Sequence, residues 1–89
     1  MRSNQDLAKD AQDGERARQL LKDPMIVKTL TDMRETVYHN IRTSHHSKVE
    51  EREDLYKMLR AIDAFEGEFN KRIDRGKKAK SILERLKGK

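Results

Sequence analysis

Eighty-nine residues allow one small domain, and a composition that is 42% charged against 34% hydrophobic, with two Phe, two Tyr and no Trp, leaves little from which to build a core. The absence of cysteine excludes disulfides and thiolate zinc sites, and no apolar run nears the ~18 residues that span a bilayer. The formal charge is +5, and abundant Lys, Arg, Glu, Leu, Met and Ala with few β-branched or aromatic residues favour helix.

In chain order, residues 1–14 are polar, with Leu7, Ala8 and Ala11 spaced too sparsely to anchor a strong helix, so a frayed or conditionally ordered arm is expected. The run from Glu15 to Lys22 reads as a short helix that stops at Asp23-Pro24, because the residue before proline is pushed out of the α region. Asp23 is also a good N-cap, and Pro24 suits the first helical position of the next element. There Ile26, Leu30, Met33, Val37 and Ile41 recur at spacings of four, three, four and four, the stripe of a second amphipathic helix.

Thr43–Ser47 is polar and short, which predicts a reversal into an antiparallel αα-hairpin. Ser47 and Glu50 form the S-x-x-E pattern of a helix start, and Glu51, Glu53 and Asp54 suit its first turns. Leu55, Met58, Leu59, Ile62, Phe65, Phe69 and Ile73 then predict one long amphipathic helix to Arg75. The register places Ile41 near Leu55, and Ile26 or Leu30 near Phe65 or Phe69. Gly76 reads either as the residue that ends or bends this helix, the favoured expectation, with a basic terminal helix built on Ala79, Ile82, Leu83 and Leu86 beyond it, or as a tolerated interior glycine.

The expected fold is all-α: an antiparallel αα-hairpin over residues 15–75 with short flanking helices, an N-terminal arm at 1–14 and a basic C-terminal helix or tail at 76–89. Two stripes exceed what one hairpin buries, so self-association or a partner is expected to cover the rest. Its surface is assigned to Ile26, Leu30, Met33, Val37, Ile41, Leu55, Leu59, Ile62, Phe65, Phe69 and Ile73.

Charge supplies the second signal. Residues 71–89 hold nine Lys or Arg against Asp74 and Glu84. Lys71, Arg72, Arg75, Lys77, Lys78, Lys80, Arg85 and Lys87 are the candidates for contact with nucleic-acid phosphates or an acidic protein surface. No aromatic residue interleaves them, so any nucleic-acid contact is expected to be backbone-directed and independent of sequence. The basic run lacks Trp and Phe, and no membrane association is expected.

His39, His45 and His46 gather at the reversal without a metal-ligand spacing and read as a solvated turn. Met25, Met33 and Met58 read as core fillers. No nucleophile with its base and no phosphate-cradling glycine loop is evident, so a non-enzymatic protein without catalytic, cofactor or metal residues is expected.

At Ala17-Arg18-Gln19-Leu20-Leu21-Lys22-Asp23-Pro24, at Arg52 to Ile62 (R-E-D-L-Y-K-M-L-R-A-I) and at Gly76-Lys77, the chain resembles short α-helical tailed-bacteriophage proteins of virion-assembly and DNA-packaging gene blocks. The likeness covers residues 17–79. It implies a non-enzymatic assembly or packaging protein, located in the host cytoplasm or virion. The hairpin stripe would serve oligomerisation or docking on a virion protein, and the basic tail would meet DNA or an acidic virion protein. The alternative expectation is a small regulatory or inhibitory module of a mobile element that binds a host protein.

Overall fold

The computed structural model describes residues 2–88 and is all-helical among them: α1 spans Asn4–Lys22, α2 Pro24–Thr43 and α3 Val49–Lys87. At about 1.5 Å per residue, the 39 residues of α3 make a rod of roughly 58 Å. α2 runs antiparallel to its first half and α1 antiparallel to its second.

α1 begins at Asn4 rather than at Glu15, so residues 4–14 of the expected frayed or conditionally ordered arm are helical. Ser3 caps α1: its hydroxyl accepts from the Asp6 N–H at 3.1 Å, and the Ser3 N–H donates to the Asp6 carboxylate at 3.4 Å. Asp6 thus takes the place that Glu or Gln fills in the usual capping box. Leu7, Asp10, Gly14 and Ala17 are the buried stripe. A helix with side chains this small lies close to its neighbour, so few apolar atoms suffice. Asp10 is held 2.7 Å from the Arg2 guanidinium, an ion pair without an aligned hydrogen bond.

Gly76 does not end or bend the third helix; α3 continues through it to Lys87. The reason lies across the interface. A Cβ on Gly14 would sit 2.7 Å from the Arg72 carbonyl oxygen and 2.8 Å from the Gly76 Cα, and a Cβ on Gly76 would meet the Gly14 Cα at 2.8 Å. The two backbones touch where only glycine fits. Leu20, further along α1, shares a groove with Phe69, earlier in α3, which sets the antiparallel direction. That register puts Leu7 opposite Leu83.

α2 begins as its sequence predicts. The Asp23 carboxylate accepts from the Met25 N–H at 2.8 Å and the Ile26 N–H at 3.4 Å, and Pro24 is the first helical residue. The same Asp23 ends α1, donating its N–H to the Leu20 carbonyl. Leu30, Val37 and Ile62 form the hairpin core, with Ile26, Ile41, Leu55 and Leu59 packed against it. Ile41 and Leu55 therefore share one cluster, and Ile26 and Leu30 line one groove with Phe65.

Helix α3 starts at Val49, with Lys48 as an N-cap that makes no side-chain bond, so the expected Ser47 capping box is absent. Ser47 is engaged elsewhere: its hydroxyl lies 2.6 Å from His45 Nδ1, to which its N–H also donates. Arg52 fixes the reversal instead, donating to the carbonyls of His45 at 3.1 Å and His46 at 2.9 Å.

The molecule measures 65 × 28 × 15 Å. Its thin dimension barely exceeds one helix diameter, ~10–12 Å. α1 does fold back, but onto the far half of α3, and no third layer covers the hairpin.

Candidate interaction surfaces

The two flanks of the hairpin differ. On one, Arg34 of α2 reaches α3, donating to Asp63 at 2.8 and 3.2 Å and to Glu66 at 2.6 Å. Those bonds, to Glu66 first and Asp63 second, push the Arg34 guanidinium above its ordinary pKa, so it stays charged and seals this side.

The opposite flank is open and apolar. Ile26, Thr29, Leu30, Met33, Ala61, Ile62 and Phe65 line a groove of about 430 Å³. A second groove of about 350 Å³ adjoins it at Thr36 and Met58. Phe65 is 56% exposed, Met58 52% and Met33 47%. Phe65 stands edge-on to Phe69, ring centroids 5.2 Å apart, which carries the apolar surface toward Leu20 of α1.

This distribution divides the eleven expected interface residues. Leu30, Val37 and Ile62 are buried within the chain, and Ile26, Ile41, Leu55 and Leu59 are half-buried against them. Phe69 and Ile73 face α1 rather than α2, lining grooves with Ala17 and Gly14. Met33 and Phe65 alone of the eleven are exposed. Met25, Met33 and Met58 are not core fillers, since all three are exposed. Thr29, Thr36, Met58 and Ala61 belong to the open flank. Their signal was a second apolar seam one step around each helix, overshadowed by the stronger first.

The eight basic candidates are all exposed, on the second half of α3. Lys71 donates to Glu68 at 3.0 Å, and Arg72 lies 3.8 Å from the same carboxylate. Together with Arg75 they hold Glu68 below the ordinary carboxyl range, Lys71 contributing most. Lys77 and Lys80 flank the glycine crossing beside Glu15 and Arg18. Glu15 is likewise held low, chiefly by the hydrogen bond from Arg18, with Lys80 and Lys22 adding charge. Arg75, Lys78, Arg85 and Lys87 have no ion-pair partner among the described residues. Helical periodicity sets Lys71, Arg75, Lys78 and Arg85 on one side of α3, away from α1.

The His45 and His46 rings stack, centroids 4.2 Å apart, and no group of three or more metal-ligating side chains converges among the described residues. No described helix is long and apolar enough to cross a membrane. No protein-family model, curated protein or solved structure matches the chain.

Proposed function

We propose that this chain is a non-enzymatic assembly protein that works by two surfaces: the open hairpin flank associates with protein, and the basic side of α3 contacts the phosphate backbone of DNA. The observation that carries the reading is the division of the ribbon into an ion-paired flank, an apolar flank and a basic outer side. A helical pair sealed by Arg34 on one side only is built to be covered on the other. The motifs at residues 17–24 and 52–62 support a setting in phage virion assembly or DNA packaging, where both kinds of contact are needed.

Truncating residues 77–89 would remove Ala79 and Leu83 from beneath α1, so charge is the cleaner variable. Four phosphate contacts by Lys71, Arg75, Lys78 and Arg85 give duplex affinity that falls about 100-fold between 50 and 200 mM salt, from a slope of ~0.9 per contact. Replacing the four by Gln should flatten that slope with helix content unchanged. Binding of the four-Gln variant that keeps the wild-type salt slope, or no duplex binding at low salt, would remove DNA from the reading and leave an acidic protein as the target.

A further inference from the structure

We infer that the open flank receives the C-terminal end of α3 from a second copy of this chain, so that copies join head to tail. The inference rests on the reading that this flank associates with protein, and it names the occupant.

One seam of α3, at spacings of three and four, runs from Glu51 to Leu83. Its later part, from Phe69 through Gly76, is taken by α1. Helix α1 ends at Lys22, with Leu20 beside Phe69, so the cover stops there. Glu51, Asp54, Met58, Ala61 and Phe65 are left exposed, over a length of about 21 Å. A whole second ribbon cannot lie along this seam, because it would meet α1. The occupant has to be short.

The far end of α3 offers such a segment. Ile82 is 39% and Leu86 58% exposed, on a side that α1 leaves bare, with Lys78 one turn and Arg75 two turns before Ile82. From Arg75 to Leu86 the segment is about 17 Å long, which fits the uncovered stretch.

Charge fixes its direction. The uncovered stretch is acidic at the reversal, where Glu51 and Asp54 share a groove, and apolar further on, where Met33, Ala61 and Ile62 share another. Laid parallel to the α3 it covers, with Ile82 level with Met58, the segment sets Leu86 over the apolar groove. Lys78 then falls beside Asp54, and Arg75 beside Glu51. Turned end for end about Ile82, it would press Lys78 into the apolar groove and Leu86 onto the carboxylates, and burying an unpaired charge is costly. None of these four charged residues has an ion-pair partner among the described residues. Gly76 and Ala79 keep facing α1 throughout.

The contact is heterologous. The incoming copy still has an open flank of its own, so association continues in steps of about 36 Å, the distance from Met58 to Ile82 along α3. So short a contact falls below the ~800 Å² per partner of a standard interface, and it forms at high protein concentration. Arg75 and Lys78 are also among the cations assigned to DNA, so duplex and neighbouring copy compete for them.

The test uses two full-length variants whose altered side chains are exposed in the single chain: Met58→Glu in the groove and Ile82→Glu in the tail. Sedimentation equilibrium of the wild type should show association running beyond a dimer. Either variant alone should weaken it about tenfold or more, with helix content unchanged. Mixed in equal amounts, the two should form a one-to-one pair and nothing larger, because only one intact groove and one intact tail can meet. The cysteine-free sequence gives a second readout: Met58→Cys with Ile82→Cys on one chain should crosslink into a ladder under mild oxidation, and either alone should stay uncrosslinked. If Met58→Glu blocks association but Ile82→Glu does not, and no ladder forms, the tail is not the occupant and the flank reading stands. Association indifferent to Met58→Glu removes both. A chain that stays monomeric to millimolar concentration overturns the head-to-tail joint and leaves the flank to a different protein.

Discussion

Gly14 and Gly67 show how one residue type serves opposite ends. Gly14 lies against the α3 backbone, whereas a Cβ on Gly67 would meet nothing within 4 Å. Gly67→Ala should therefore stabilise by about 1 kcal/mol through helix propensity alone. Gly14→Ala gains the same propensity but must force two backbones apart, at a cost of about 1–3 kcal/mol, so it should melt below Gly67→Ala and at or below wild type. Equal melting temperatures for the two variants would deny the close crossing. Acid offers a second residue-level check. Glu15 and Glu68 sit below the ordinary glutamate value of 4.5 in the folded chain, which favours their charged forms there. Their support is present above that value and lost as pH falls through the lowered one. Thermal stability should drop modestly below about pH 4.5, and Glu15→Gln with Glu68→Gln should shallow that drop.

Among the elements, the hairpin core is the sensitive point because it is so small. Ile62→Ala removes a side chain that touches both Leu30 and Val37 in a cluster of three buried residues, and should cost about 2–4 kcal/mol by chemical denaturation. Arg34→Ala, at an interface still open to solvent, should cost only about 1 kcal/mol. This element was the legible part of the sequence. Strong stripes at spacings of three and four, the Asp23-Pro24 start and the polar reversal fix α2 and its partner without any tertiary information. The α1–α3 pair was not legible, because Leu7, Gly14, Ala17, Gly76 and Ala79 form a stripe whose strength is proximity rather than hydrophobicity. A glycine that permits contact and one that ends a helix look identical in a string of letters. Ser47 misled for a related reason: its hydroxyl had a rival partner in His45, and only geometry decides such a competition. At the candidate surface the two stripes were legible, but the helix edge that remains open depends on where Arg34 reaches.

For the whole molecule, shape is the measurable property. The radius of gyration is 18.8 Å, against about 12 Å for a compact chain of this length. Small-angle scattering from the dilute monomer should return the larger value, and the smaller would mean that α1 packs onto the hairpin rather than beyond it. Among the described residues no large side chain is fully buried. Unfolding of the ribbon should therefore expose little new apolar surface, with a correspondingly low heat-capacity change by calorimetry.

The glycine crossing also makes the two ends mechanically unequal. Where backbones touch, neither helix can rotate or slide without collision, so the half that holds Gly14 and Gly76 is stiff. The half around Met33 and Ala61 is held by side chains over a groove and has room to adjust. In heavy water, amide protons beside Gly14 and Gly76 should outlast those beside Met33 and Ala61. On the proposed self-association through the open hairpin flank, raising the protein concentration should slow the second group and leave the first unchanged, since only the yielding end would gain a cover.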